Sequence, residues 1–173
     1  MRITKEYVFF WSGIYSQWYL ADMTDPKTGI KFNCSEQFMM WSKATIFGDK
    51  EQAKKILSEK DPRKQKELGR GVKNYKQEIW DMVKYNVVSN ATMLKFTQNP
   101  KLLAELLLTG DRILVEASPK DTIWGIGMGE NDFGVDDKNN WKGENLLGYA
   151  CTETRDFITK LLSSTDNLYE INE

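Results

Sequence analysis

The chain has no histidine among its 173 residues, and this absence excludes more chemistry than any other feature of the composition. Ser/His/Asp and Cys/His catalysis, the HExxH zinc site and other histidine-dependent metal sites all need an imidazole. Proton transfer must therefore use Asp, Glu, Lys, Tyr or water. The sequence predicts a site that works without a metal ion and without a bound cofactor.

Cysteine is scarce, and long apolar runs are missing. Cys34 and Cys151 suit a reduced compartment and are too few for a disulfide framework or a metal cage. The longest apolar runs are far shorter than a membrane span, and no secretory signal follows Met1. We expect a cytoplasmic protein with no membrane partner.

The net charge is −1, but the basic and acidic residues are unevenly distributed along the chain. Residues 50–84 hold 11 Lys and Arg against 6 acids, whereas residues 110–173 hold 6 against 13. The basic segment could face phosphate groups, but a solvated pair of helices with scattered lysines explains it equally well.

Periodicity and turn residues predict a mostly helical α+β protein, a compact single domain over residues 1–162 with a small β element and a polar C-terminal tail at 163–173. Helices are expected to begin at caps formed by Ser35, Asp49, Asp61-Pro62 and Asn74. The leucine-rich helix after Pro100 is expected in the core, and the last helix is expected to end near residue 162. Two or three short strands are predicted among residues 6–11, 17–22 and 30–32, and a further strand is predicted at 112–117.

The first predicted helix carries two charges among apolar side chains. Glu36 and Lys43 are seven residues apart, so they share one stripe with Met40 between them and their Cα atoms are about 10 Å apart. Such a pair suggests a pocket that a substrate enters, where desolvation lowers a lysine pKa and raises a carboxylate pKa. Each charge could equally extend to water or pair with another element.

A glycine-rich loop at 118–129 is the second feature of interest. Asp121 and Trp124 could supply a carboxylate and a stacking surface, and Gly125 allows a close backbone approach. The GxGxG spacing fits neither a dinucleotide-binding fingerprint nor a P-loop. The loop could also be a tight connection that carries a core tryptophan.

Five ordered blocks together resemble one known family. They are NCSEQFMMWSKA at 33–44, Leu68-Gly-Arg70, Trp80, LKFTQNPKLLAELLLTGDRILVEASPKDTIWGIG at 94–127 and GENLLGYACTETRD at 143–156. This series is similar to the YbiA-like family, also called NADAR (NAD and ADP-ribose associated), over about three quarters of the chain. The sequence departs from the family pattern at Gln37, where the family usually has histidine, and at Gln17, where it has asparagine.

The resemblance implies hydrolysis of N-glycosidic bonds, and it assigns roles to individual residues. It marks Glu36, Lys43 and Asp121 as the catalytic group. It implies Arg70, Asn145 and Arg155 as binders or organisers of phosphate and ribose. Trp18, Trp124 and Gly125 are further predicted substrate contacts, although tryptophans are more often core residues, and Arg155 could instead form a salt bridge with Glu116 or Glu144.

The substrate expectation has a favoured form and two alternatives. The favoured substrate is ADP-ribosylated guanine in nucleic acid. The basic segment 50–84 slightly favours this polyanion over a small phosphorylated pyrimidine. The first alternative is a phosphoribosylamino-pyrimidine intermediate of riboflavin biosynthesis. The second is a non-catalytic module that binds ADP-ribose or a related nucleotide. A carboxylate could stabilise an oxocarbenium-like ribose, or Lys43 could form a Schiff base at C1′ of the ring-opened sugar.

Overall fold

The structure is a computed structural model that describes residues 1–170, with side chains described as far as residue 164. The described strands are β1 (Arg2–Ile3), β2 (Tyr7–Phe10), β3 (Met23–Thr24), β4 (Lys31–Phe32) and β5 (Ile113–Glu116). The described α-helices are α1 (Ser35–Ile46), α2 (Lys50–Ser58), α3 (Pro62–Arg70), α4 (Gln77–Thr97), α5 (Pro100–Leu107) and α6 (Leu146–Glu170). The predicted α+β class, mostly helical with a small β element, is therefore confirmed.

Backbone contacts divide the chain into two compact units, of which Ser12–Leu102 is the more helical. In this helical unit α1 is central and packs on α2, α3 and α4. Strands β3 and β4 pair antiparallel, with Met23 opposite Phe32. One apolar cluster of this unit consists of Met23, Phe32, Phe38 and Ala91, with Ile30, Trp41, Leu57, Val87 and Leu94 packed against it.

The other unit combines Met1–Trp11 with the chain from Leu103 onward. Its three-stranded sheet has the order β1-β2-β5, antiparallel between β1 and β2 and parallel between β2 and β5. Helix α6 packs on β5. The buried cluster comprises Tyr7, Phe9, Val115, Ala117, Ile126, Met128 and Val135.

Two of the four predicted helix caps are confirmed. Asp49 accepts a hydrogen bond from Gln52 N, and Asp61 accepts one from Arg63 N ahead of Pro62. The prediction for Ser35 is wrong by one residue, because Cys34 is the cap and Ser35 is already helical. The prediction for Asn74 is also wrong, since α4 begins three residues later and Asn74 has a φ of 57°.

Three other predictions need correction. Residues 17–22 form no strand, because the segment around Ser16 turns tightly, with Tyr19 N donating to Ser16 O at 3.2 Å. In α5 only Leu106 is fully buried, so the helix is not the core element that its leucines suggested. Helix α6 does not end near residue 162; it includes 163–170 of the predicted polar tail, while 171–173 lie outside the described residues.

Gln37, where the resemblance expects histidine, has a structural role at the end of α2. Its Nε2 donates to the carbonyls of Ile56, Leu57 and Glu59 at 2.9–3.2 Å, and its Oε1 accepts from Asn33 N at 2.8 Å. These bonds satisfy carbonyl groups that a helix end leaves without partners. The amide therefore provides both donor and acceptor for this task without an imidazole.

The described part of the chain has neither a membrane-spanning helix nor a metal-binding cluster. No helix there is long and apolar enough to cross a membrane. No group of three or more His, Cys, Asp or Glu side chains is arranged there to hold a metal ion.

Candidate active site

Helix α1 places the two predicted catalytic charges on one side of the helical unit. Glu36 lies in the first turn and is 2% exposed, and Lys43 lies two turns later and is half-buried. Met40, between them, is buried against Gly69 of α3. A Cβ at Gly69 would collide with the Met40 side chain, so only glycine allows this close approach of α3. The approach brings the next residue, Arg70, to the vicinity of Lys43.

The Lys43 ammonium lies against two aromatic rings. Its Nζ is 4.1 Å from the centre of the Tyr75 ring and 5.8 Å from the centre of the Trp80 ring. Burial lowers the pKa of Lys43, the positive charge of Arg70 lowers it further, and the negative charge of Glu36 opposes both effects. Lys43 therefore yields a neutral amine at a lower pH than an ordinary lysine, which is the form needed for nucleophilic attack.

Glu36 is held by the turn that precedes β3. Its Oε2 accepts a hydrogen bond from the Trp18 indole Nε1 at 3.2 Å, and its backbone N donates to the Gln17 carbonyl at 3.0 Å. Trp18 is 40% exposed, and Lys66 Nζ lies 5.7 Å from the centre of its ring. Trp18 therefore combines a buried polar contact with an exposed aromatic surface that a base or sugar can approach.

Arg70 is exposed at the end of α3 and affects the pKa of Lys43 through its charge. Lys66 lies near Trp18, which bonds Glu36, and Arg70 and Glu36 both act on Lys43 through their charges. Lys43, Lys66 and Arg70 thus add positive charge to the part of the helical unit that contains the buried Glu36 carboxylate. This excess of positive charge suits a substrate that carries phosphate groups.

Tyr75 is a site residue that the sequence did not predict. The sequence predicts a helix that starts at Asn74, but Lys73 N donates to Asp49 Oδ2 at 2.9 Å and Asn74 adopts a left-handed conformation. Tyr75 then packs edge-on against Phe47, with ring centres 5.2 Å apart. Asn74, between Lys73 and Tyr75, was the available sequence signal, because asparagine favours turns and tolerates a left-handed conformation.

Cys34, which caps α1 beside Glu36, is not a second nucleophile. Burial raises the pKa of its thiol to about 11. Its Sγ donates to Gln65 Oε1 at 3.2 Å. Cys34 is therefore a protonated structural thiol at neutral pH, as the sequence indicated for both cysteines.

Asp121, Trp124 and Gly125 belong to the sheet-containing unit, where they form a tight turn. Asp121 Oδ1 accepts from Ile123 N at 3.0 Å and from Trp124 N at 2.8 Å. A Cβ at Gly125 would lie 2.7 Å from the Glu116 carbonyl oxygen, so the close approach requires glycine. One carboxylate oxygen of Asp121 thus organises the loop, and a catalytic role for this residue remains a prediction.

Asn145 and Arg155 also belong to the sheet-containing unit, and their polar atoms make internal bonds. Asn145 is fully buried; its Oδ1 accepts from Glu116 N at 2.9 Å and its Nδ2 donates to Leu114 O at 3.0 Å. Arg155 is 3% exposed, donates to Thr109 Oγ1 and to the Arg112 carbonyl, and pairs with Asp156 at 2.7 Å. Both act as organisers of the fold, and direct contact with substrate remains a prediction for each.

The ion pair of Arg155 differs from the alternative that the sequence suggested. The sequence offered Glu116 or Glu144 as alternative partners, and the structure shows an ion pair with the neighbouring residue Asp156. The short distance along the chain explains the choice, because adjacent residues on α6 can pair without any long-range packing.

We expect Asp121→Asn to lower kcat about tenfold if the charge stabilises a cationic ribose in the transition state, with little change in KM. An asparagine oxygen can still accept the two backbone bonds, so the melting temperature should stay near the wild-type value. Steady-state kinetics and thermal unfolding measure these quantities. Asp121→Ala, which removes the turn as well, should lower the melting temperature. An unaltered kcat in a folded Asp121→Asn protein would remove Asp121 from the catalytic group.

Comparison with known proteins shows the family of this chain. The family model described as the NADAR domain matches residues 9–159. The chain belongs to the NADAR family. The resemblance recognised in the sequence is thereby confirmed.

Individual relatives add detail to the family assignment. The chain is 40% identical to "N-glycosidase R617" of Acanthamoeba polyphaga mimivirus, over 88% of this chain and 96% of that protein. It is 27% identical to "Riboflavin biosynthesis protein VVA0006" of Vibrio vulnificus, over 77% of this chain and 37% of that protein. The solved structure of the Escherichia coli protein YbiA matches with a TM-score of 0.73 and 26% identity, covering 91% of this chain and 88% of that one. Membership of an N-glycosidase family agrees with the activity expected from the sequence.

Proposed function

We propose that this NADAR protein is an N-glycosidase that hydrolyses the bond between ribose C1′ and a base nitrogen, and that its favoured substrate is ADP-ribosylated guanine in nucleic acid. The observation that carries the proposal is the environment of Lys43, which lies half-buried against Tyr75 and Trp80 with its pKa lowered. Relatives named N-glycosidases support the reaction class.

Two chemical routes are compatible with these residues. In direct hydrolysis, the Glu36 carboxylate stabilises positive charge at C1′ while the base leaves with a proton and water adds to C1′. In the lysine route, the Lys43 amine adds to C1′ of the ring-opened sugar and displaces the base amine. Water then hydrolyses the Schiff base and restores the lysine. The lowered pKa of Lys43 favours the lysine route.

The choice of a nucleic acid rests on charge. Residues 62–76, which include α3 and the turn before α4, contain six Lys and Arg and one acid, Glu67. Arg63, Lys64, Arg70, Lys73 and Lys76 are all exposed. A small phosphorylated sugar needs only one or two such cations, whereas a polynucleotide can contact the whole series.

The second candidate substrate is a phosphoribosylamino-pyrimidine. The similarity to a protein named for riboflavin biosynthesis favours it. The same two chemical routes apply, because this substrate also joins C1′ of a ribose phosphate to an amine nitrogen.

One assay separates the two substrates. The protein is incubated with an oligonucleotide that carries ADP-ribosylated guanine, with the same lesion as a free nucleotide, and with the phosphoribosylamino-pyrimidine, and products are followed by mass spectrometry. We expect release of ADP-ribose, fastest from the oligonucleotide, and none with Lys43→Met. Faster turnover of the pyrimidine would replace the favoured substrate, and no product from any substrate would overturn the N-glycosidase proposal.

Arg70→Ala is expected to raise KM about fivefold to tenfold, since a charge-assisted contact with phosphate contributes roughly 1–1.5 kcal/mol at an exposed position. The increase should shrink at high salt, because salt already screens the wild-type contact. Kinetics at two ionic strengths measure both effects. Arg63→Ala, two helical turns earlier on α3, is the matched control and should change KM less. Equal effects of the two substitutions would mean that Arg70 has no specific contact.

A further inference from the structure

Lys95 is a fully buried lysine that the proposed mechanism does not use. It lies near the end of α4 and is 2% exposed. Its Nζ donates a hydrogen bond to the Ser16 carbonyl at 2.8 Å and lies 5.6 Å from the centre of the Tyr19 ring. Burying an ammonium group costs hydration free energy that an apolar side chain of similar length does not lose. A role that needs the charge or its hydrogen bonds would explain a lysine at this position.

The carbonyl that Lys95 holds belongs to a tight turn. Ser16 O also accepts from Tyr19 N at 3.2 Å, and Ser16 Oγ accepts from Trp18 N at 3.2 Å. Ser16 is therefore the centre of the turn, and Lys95 attaches it to α4 across 79 residues of sequence. A charge-assisted bond to this carbonyl is stronger than a neutral one, so it restricts the turn more tightly.

The same turn contacts Glu36 through two separate groups. The Gln17 carbonyl accepts from Glu36 N at 3.0 Å, and the Trp18 indole donates to Glu36 Oε2 at 3.2 Å. Any movement of Ser16 shifts both neighbours, because they follow it directly in the chain. The position of the Glu36 carboxylate thus depends on where the turn is fixed.

We propose that Lys95 is a positioning residue, which fixes the turn at Ser16 so that Gln17 and Trp18 hold the Glu36 carboxylate in place. Lys95 acts through the turn and is not assigned any contact with the substrate. The proposal rests on the proposed function only in that Glu36 is taken as a catalytic group. The geometry of the turn can be tested without any substrate.

The test compares Lys95→Met with the wild-type protein. Methionine keeps the length and the apolar packing but has no charge and no donor, so the protein is expected to fold with a melting temperature close to that of wild type. We expect kcat to fall about tenfold with KM changed less than twofold, since the carboxylate acts mainly in the transition state. The ¹H–¹⁵N resonance of the Trp18 indole, assigned with Trp18→Phe, should shift. Lys101→Met, at an exposed lysine on α5, is the control and should leave all three measurements unchanged.

The opposite results overturn the proposal. An unchanged Trp18 indole resonance in folded Lys95→Met shows that the turn does not depend on Lys95, whatever happens to kcat. A shifted resonance with wild-type kcat shows that the turn moves without affecting catalysis, which also overturns the positioning role. If Lys95→Met does not fold, Lys95→Leu, which is also neutral and has no donor, is judged by the same two measurements. If the wild-type protein hydrolyses no N-glycoside, the proposed function fails, and the substrate-free resonance still decides whether Lys95 fixes the turn.

Discussion

Lys43→Ala is expected to abolish turnover, with a loss of at least about a thousandfold in kcat, because a covalent nucleophile cannot be replaced by water at the same position. The fold should survive, since the lysine is only half-buried and its ammonium contacts the faces of Tyr75 and Trp80. Loss of these cation–π contacts lowers the free energy of unfolding by about 1 kcal/mol. Kinetics and thermal unfolding of the same preparation measure both effects.

Two control variants separate the functions of the Lys43 side chain. Lys43→Met keeps the apolar stem and should be as inactive as the alanine variant, whereas a packing role would restore activity. Lys43→Arg keeps the positive charge but offers no neutral amine and should also be inactive. Borohydride added during turnover should trap a covalent sugar adduct on the wild-type protein. Absence of the adduct would rule out the Schiff base, and full activity of Lys43→Ala would remove every catalytic role of this lysine.

The pH dependence of kcat/KM follows from the same lysine. The reactive form is the neutral amine, so the rate rises with pH until the pKa of Lys43 is passed. Burial and the charge of Arg70 lower this pKa, so the rise should end at a lower pH than for an ordinary lysine. In Arg70→Ala the same limb of the profile should move to higher pH, because one of the charges that lowers the pKa is gone.

Glu36→Gln is expected to reduce kcat by about a hundredfold to a thousandfold, since a carboxylate that stabilises cationic charge or transfers a proton contributes an effect of this size. Glutamine has nearly the same shape, and its amide oxygen can still accept from the Trp18 indole. The fold and KM should therefore change little. Glu67→Gln, at an exposed acid on α3, is the matched control and should have wild-type kcat.

The pH profile of Glu36→Gln provides an independent check of the electrostatic effect of Glu36 on Lys43. The negative charge of Glu36 raises the pKa of Lys43, so its removal should move the residual activity profile to lower pH. This shift is opposite in sign to that expected for Arg70→Ala. An unmoved profile would mean that the two charges of α1 do not interact.

Some of this site could be predicted because it depends on local geometry alone. Glu36 and Lys43 share a stripe since seven residues are close to two helical turns, and any stable helix over this segment places them so. The caps at Asp49 and Asp61 are local for the same reason, as each carboxylate bonds an amide two or three residues later. The five motif blocks were sufficient to recognise the family, which the match over residues 9–159 confirms.

The surroundings of these two charges were decided only by tertiary structure. Tyr75 reaches Lys43 because Asp49 holds the turn at Lys73, a bond across 24 residues that no periodicity reveals. Trp18 reaches Glu36 across 18 residues, in a segment whose aromatic composition predicted a strand. Asn145, expected to bind or organise phosphate and ribose, bonds Glu116 N and Leu114 O. The sequence could not show these partners, because an amide that bonds buried backbone groups has the same residue type as one that binds a ligand. Local spacing thus determined which charges share a helix face, whereas long-range packing determined their partners and the pKa of Lys43.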